Sequence, residues 1–189
     1  MTLPARLLSG EKVRLTTLNK GDVPTIARWY RDTVFLRLFD AVAARPQSEA
    51  EIGRRLEKWQ QDEKGFYFAI RPVDESEDDL LGLIELDGVL WPHGVCGFSI
   101  AIGDRADWGQ GYGYEAGELA LAFAFHELNL HRVTATVFNY NERSRALVEK
   151  LGFRREGAFR EFLERDGERH DMLLYGVLRP EWEARQRVE

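Results

Sequence analysis

Between Ser99 and Phe138 the chain passes from a strand-like segment, through a turn holding Gly109, Gly111 and Gly113, into a helix apolar on almost every face. Over Gly113–Leu128, Ala116, Leu119, Ala120 and Phe123 fill one face of that helix. Leu121, Ala122, Ala124 and Phe125 fill much of the rest, so the helix belongs in the middle of a fold, packed on several sides. His131–Phe138, rich in Val and Thr, reads as the next strand. Two strands joined through a helix lie parallel in one sheet with a right-handed crossover, because only that hand packs the helix back onto twisted strands. The glycine turn therefore opens a buried helix, where N–H groups lack partners and the helix dipole is positive. Pyrophosphate is the ligand such a turn suits.

The rest of the chain reads as short elements around this unit. Val13 and Leu15 mark a first strand, and Asp22 is placed to cap a helix carrying Ile26, Trp29 and Tyr30. Ser48 and Glu51 form a capping box before a second helix with Ile52, Leu56 and Trp59 on one face. No motif marks Phe35–Arg45 between them. Strands are expected over Phe66–Ile70, Leu80–Leu86 and Val95–Ile102, with connectors short enough for an antiparallel meander. Asn141 caps a helix ending at Leu151, where Gly152 and Phe153 spell a Schellman stop. Two final strands flank Asp166-Gly167, a type I′ hairpin signal that sets Arg165 opposite Glu168 and Glu164 opposite Arg169. At 189 residues, with no Pro-, Gly- or Ser-rich divide, a single domain over 1–189 is the economical reading.

Charge narrows the partners. Against 26 Lys and Arg stand 32 Asp and Glu, a net charge of -6 that repels nucleic acid and anionic membrane and suits a cationic or amine substrate. The one cysteine, Cys96, permits no internal disulfide or structural zinc cluster. The four histidines show no metal-ligand spacing, so no metal is expected. Met1–Gly10 lacks the apolar core of a signal peptide, and no apolar run approaches the roughly twenty residues of a membrane span. A cytoplasmic protein is the expectation.

Several chemistries compete for the glycine turn. Gly111-Tyr112-Gly113-Tyr114-Glu115-Ala116 formally satisfies the dinucleotide pattern G-x-G-x-x-A, yet the next strand ends Val137-Phe138-Asn139 where an acidic ribose ligand would stand. A Walker A loop needs Gly-Lys-Ser/Thr, and Gly113 is followed by Tyr114-Glu115. What remains resembles motif A of the GNAT superfamily, R/Q-x-x-G-x-G/A, with Gly111 and Gly113 in place and Trp108 where Arg or Gln stands. Three later signatures follow in the same order. These are Asn129-Leu130-His131-Arg132, then Asn141 and Ser144 with Glu149 to Phe153, then Asp166-Gly167 with His170-Asp171. With them the chain looks like the RimJ/RimL-like branch, the ribosomal-protein N-terminal acetyltransferases, most strongly from Leu80 to Trp182.

This resemblance implies an α/β (α+β) chain with the GNAT fold, a mixed, mostly antiparallel sheet of about seven strands with helices on both faces and a splayed parallel strand pair. It implies acetyl-CoA as cosubstrate. The amides of Trp108, Gly109, Gln110, Gly111, Tyr112 and Gly113 would hold its pyrophosphate, and Phe98, Ser99, Ile100 and Ile102 would run along its pantetheine arm. Asn141 would hydrogen-bond that arm, although a helix cap alone also explains it.

Transfer to an amine requires the neutral amine, and a lysine-like amine titrates at about 10.4, so a carboxylate or a bound water must take its proton. Glu85 is the expected base, since it interrupts Leu83-Ile84 and Leu86 with a charge beside the cosubstrate strand; an outward-facing strand residue is the plain alternative. Glu115 is placed to complement the positive start of the central helix, and Glu161, Glu164 and His170 are the other residues that could reach the cleft from the last hairpin. The tyrosine that many GNAT enzymes use to protonate the departing thiolate matches Val148 here. RimL-like relatives point instead to Ser144, with a water or a role-free helix residue as alternatives. Cys96 reads as a buried thiol and not as an acyl carrier. Two acceptors stay open, a protein or peptide α-amine and a polyamine or other small amine. From a different class comes a silent acyl-CoA-binding module. A homodimer is also left open.

Overall fold

The computed structural model describes residues 7–74 and 78–187; the Met1–Arg6 part of the segment read above for a signal peptide lies outside them. Its strands are β1 (Val13–Thr17), β2 (Phe66–Pro72), β3 (Gly82–Leu90), β4 (Val95–Ile102), β5 (Arg132–Phe138), β6 (Arg154–Arg165) and β7 (Glu168–Leu178). They form one sheet in the order β1-β2-β3-β4-β5-β7-β6. Every neighbouring pair is antiparallel except β4 with β5. The helices are α1 (Val23–Trp29), α2 (Thr33–Phe39), α3 (Glu49–Gln61), α4 (Tyr112–Ala122), α5 (Glu142–Lys150) and α6 (Arg179–Gln186).

The two-residue period of the strands divides the core in two. Ile70, Ile84, Leu86 and Phe98 pack with Ala116, Ala120 and Leu121 of α4, with Val148 of α5 and with Trp182 of α6. One position along the same strands, Ala69, Leu83 and Ala101 pack with Ile26, Trp29, Ile52 and Leu56 of α1 and α3. Each fully buried Leu or Ile contributes roughly 1.5–3 kcal/mol, so both faces of the sheet are anchored. Glu85 shares the parity of Leu83 and therefore points toward the α1–α3 side.

Several sequence signals appear as read. The Ser48 hydroxyl accepts from the Glu51 N–H, and the Glu51 carboxylate accepts from the Ser48 N–H at 2.9 Å. Gly152 and Phe153 donate to the carbonyls of Glu149 and Val148, both at 3.0 Å, completing the Schellman stop. Asp166 and Gly167 both have positive φ, at 54° and 84°, as a type I′ turn requires, and Arg165 faces Glu168.

Three readings are corrected. Asp22 precedes α1 but its carboxylate does not cap that helix. Instead it accepts from the Asn19 N–H at 2.8 Å and pairs with both oxygens to Arg71 Nη2, at 2.8 and 2.9 Å. Asp22 and Arg71 are 5% and 2% exposed, and a buried charge persists only when paired, so the ion pair outcompetes the cap. The unmarked stretch after Tyr30 contains α2, capped by Asp32, whose carboxylate accepts from the Val34 N–H at 2.9 Å. After the final strand comes α6, which the sequence reading did not name, while the central helix runs unbroken from Tyr112 through a π-helical turn at Phe123–Glu127, within one residue of the expected Gly113–Leu128. Among the described residues no helix is long and apolar enough to cross a membrane.

Candidate active site

The parallel pair is short. Val95, Cys96 and Gly97 sit beside Arg132, Val133 and Thr134, and there the two strands part. At the fork the Thr134 hydroxyl donates to the Cys96 carbonyl at 3.1 Å, and a Cβ on Gly97 would lie 2.3 Å from Asp87 Oδ1, so a larger residue there would push the Asp87 side chain aside. Beyond it Phe98–Ile102 remains bonded to β3 alone, which leaves its other edge facing a gap toward Ala135–Phe138. Both edges line a cavity of about 590 Å³ that runs on to the glycine turn and the start of α5. Backbone N–H groups on an unpaired strand edge are donors in search of acceptors.

Of the residues expected at the site, Phe98, Ser99, Ile100 and Ile102 line this one cavity, as do Trp108, Gly109, Gly111, Tyr112 and Gly113. Asn141 and Ser144 line it too, whereas Gln110 and Glu85 do not. Gly111 stands at φ 88° as the residue before α4, and that helix begins without a side-chain cap. Its first-turn N–H groups are thus presented by the geometry of the helix, with the positive dipole end behind them. The Trp108 indole N–H donates to the Ile102 carbonyl at 2.8 Å, closing the loop onto the end of β4.

Positive charge gathers at the turn through residues the sequence reading did not single out. Lys12 donates to the Gln110 carbonyl at 3.0 Å, and its Nζ lies 3.2 Å from where a Gly111 Cβ would be. The Arg143 guanidinium stacks on the Trp108 ring at 4.7 Å and lines the cavity. Lys12 is fixed by Glu115, whose carboxylate accepts from the N–H groups of Glu11, Lys12 and Val13 at 2.9, 2.7 and 2.7 Å. Glu115 thereby stitches β1 to α4 at the helix start. Its signal was an acidic residue in the first turn of a helix, but the partners lie about a hundred positions away, beyond any local pattern.

Glu85 sits one strand inward. It faces Ser99 across the β3–β4 ladder and Tyr67 across β2–β3, so its side chain shares their face of the sheet. Burial pushes its carboxyl up to about 7, helped by the negative charges of Asp87 and Asp40 and opposed by Arg55. Beside it on the α1–α3 side, Arg55 donates to the Tyr30 hydroxyl and, at 2.9 Å, to Gln47. Burial likewise raises the Tyr30 hydroxyl to about 12.

The remaining candidates fall elsewhere. Glu164 pairs with Arg169 at 3.1 Å, Glu161 occupies a β6 irregularity at φ 52°, and His170 packs edge-on against Tyr140 at 4.9 Å. None of the three lines the cavity. Val148 is buried in its wall, so the position of the usual acid is apolar. Asn141 both caps α5, accepting from the Ser144 N–H at 3.1 Å, and donates to the Leu38 carbonyl at 3.0 Å. Cys96 is buried at the fork, and that burial, with Asp87, pushes its thiol up to about 12, which keeps it protonated near neutrality and a poor nucleophile.

Comparison with known proteins agrees with this geometry. A family model described as an acetyltransferase (GNAT) domain matches residues 12–154. The probable N-acetyltransferase YjcK of Bacillus subtilis is 33% identical over 131 residues, 69% of each chain. The ribosomal protein uS5 alanine N-acetyltransferase of Escherichia coli is 27% identical over 186 residues, covering 90% of this chain and 93% of the other. Among solved structures, spermidine N-acetyltransferase from Vibrio cholerae in complex with CoA and spermine superposes with a TM-score of 0.79 at 24% identity, over 90% and 98% of the two chains.

Proposed function

The chain belongs to the acetyltransferase (GNAT) family and is an acetyl-CoA-dependent N-acetyltransferase; from that premise we propose that its acceptor is the α-amine of a protein or peptide and that Glu85 removes the amine proton. In this reading the N–H groups from Trp108 to Gly113, with Lys12 and Arg143 alongside, bind the pyrophosphate, and the free edge of Phe98–Ile102 takes the pantetheine arm. A backbone N–H of that edge polarises the thioester carbonyl as the amine nitrogen attacks its carbon. The carbon–sulfur bond then breaks, the thiolate takes a proton from Ser144 or from a water that Ser144 holds, and the proton that the attacking nitrogen sheds on becoming an amide makes good that loss.

The observation behind the choice of acceptor is Glu85 standing opposite the cavity-lining Ser99, where burial raises its carboxyl to about 7. An α-ammonium ordinarily titrates at about 7.7–8.0, so handing its proton to Glu85 is uphill by only about 1 kcal/mol. A lysine-like or polyamine ammonium near 10.4 must climb about 4–5 kcal/mol. The likeness to the ribosomal protein uS5 alanine N-acetyltransferase supports the same class, and with it the RimJ/RimL-like branch. A second reading, a polyamine acceptor, is supported by Asp40 and Asp87 lying in electrostatic range of Glu85 and by the spermidine N-acetyltransferase fold.

The two separate in one assay of acetyl-CoA consumption with product masses. It compares a short peptide with a free N-terminus, the same peptide N-terminally blocked but carrying lysine, and spermidine. Preferential acetylation of the free N-terminus is expected. Turnover of spermidine alone would replace the first reading with the second and leave the family untouched.

A further inference from the structure

One wall of the cavity comes from the end of α2 and the residues after it, Leu38, Phe39, Asp40 and Ala41, and the charge of Asp40 is felt by Glu85. A helix leaves its last carbonyls without intrahelical donors, and α2 is only seven residues long, with little stability of its own. Only the Leu36 carbonyl is closed locally, by the Asp40 N–H at 3.0 Å. Two more are closed from outside. The Tyr140 hydroxyl donates to the Arg37 carbonyl at 2.7 Å, and Asn141 Nδ2 donates to that of Leu38 at 3.0 Å. Past the helix, Arg165 Nη2 gathers three successive carbonyls, those of Asp40, Ala41 and Val42, at 3.1, 3.2 and 3.2 Å.

This last contact is unlike an ordinary surface arginine. Arg165 is the last residue of β6, held over the wall by the type I′ turn at Asp166-Gly167, and its neighbour Asp166 pairs with Arg37 of α2. Its Nε is buried with no hydrogen-bond partner among the described residues. Burying an unsatisfied donor costs free energy, and the guanidinium tolerates that cost while three peptide dipoles point their negative ends at it. The tip of the last hairpin, more than a hundred residues away in sequence, thus sets where the wall stands.

We propose that Arg165 is a positioning residue for the amine acceptor: by gathering the carbonyls of residues 40–42 it fixes the wall that the acceptor passes on its way to Glu85. The proposal rests on the reading that the acceptor enters on the Glu85 side. Arg165 touches neither substrate in this scheme and acts through Leu38–Ala41. Loss of the clamp frees the wall and weakens acceptor binding, while the pyrophosphate turn and the β4–β5 fork stay as they are.

The test compares wild type, Arg165→Met and Arg165→Lys, with a peptide or amine that wild type turns over. Arg165→Met is expected to raise the acceptor KM about tenfold or more while kcat and the acetyl-CoA KM stay within about twofold. Arg165→Lys, whose three N–H donors match three carbonyls, is expected to restore most of the loss. Hydrogen exchange, which needs no turnover, is expected to quicken at the amides of Phe39, Asp40 and Val42 in Arg165→Met and not in Arg165→Lys. An unchanged acceptor KM, unchanged exchange, or acceptor and acetyl-CoA KM rising together overturns the proposal. If Arg165→Met does not fold, Arg165→Gln is read by the same criteria. Glu85→Gln in the same panel separates the two ideas: full kcat there, with the Arg165→Met split intact, ends the base assignment and keeps the clamp.

Discussion

At the scale of single residues, the base role proposed for Glu85 sets function against stability. Its carboxyl is raised from an ordinary 4.5 to about 7, chiefly by burial. Between those two values the folded protein holds a proton that the unfolded chain has released, so stability falls as pH rises through that window and levels off above 7. The cost above pH 7 amounts to about 3 kcal/mol. Glu85→Gln removes a charge that would have to be buried, so it should stabilise the protein by up to about 3 kcal/mol at pH 8 and by almost nothing near pH 4. The same variant should lower kcat by roughly 10²–10⁴-fold, and the rise of wild-type kcat/KM through about pH 7 should flatten. Denaturant titrations at the two pH values and a pH–rate profile check both halves; a variant with wild-type kcat contradicts the base role. Glu85 was conspicuous in sequence because a charge inside an apolar strand is a local anomaly. Lys12 and Arg143 were not, because their places beside the turn arise from Glu115 stitching β1 to α4 and from stacking on Trp108. No spacing rule encodes such contacts.

At the scale of elements, α3, α4 and α5 were readable from local signals, whereas α2 and α6 went unread. α3 and α5 carry their start signals within four residues, and the Gly152–Phe153 stop is equally local. α2 is short and begins Thr33-Val34-Phe35, residues of modest helix propensity, and it is buried through Phe35 and Leu36. Its carboxyl end is completed by Tyr140 and Asn141. Asn141 therefore links two helices, capping one and closing the other. Asn141→Ala should cost about 2 kcal/mol, roughly half from the lost cap of α5 and half from the orphaned Leu38 carbonyl. Asn141→Asp keeps the cap, loses the donor and should fall between the two. Urea unfolding of the three proteins decides it, and an alanine variant within about 0.5 kcal/mol of wild type contradicts the double duty.

For the whole molecule, the strand–helix–strand unit dictated that β4 and β5 run parallel, and that order followed from the crossover rule alone. Where they part came through the GNAT resemblance, which set Phe98–Ile102 along the gap, and pairing does end at Gly97; no local pattern reads Thr134 reaching the Cys96 carbonyl across the sheet. The insertion of β7 between β5 and β6 is likewise a tertiary outcome. A net charge of -6 is reconciled with a polyanionic cosubstrate by local means, Lys12, Arg143 and a helix start on one turn. The central claim is that this turn and the fork form one site for coenzyme A, and isothermal titration of coenzyme A into wild type and Gly111→Trp tests it most directly. One site per chain is expected in wild type. In Gly111→Trp, where an indole must occupy the φ 88° position beside Lys12, affinity should fall by about a hundredfold or more with the circular dichroism spectrum unchanged. Equal affinity in the two proteins, or no heat of binding in wild type, would contradict it.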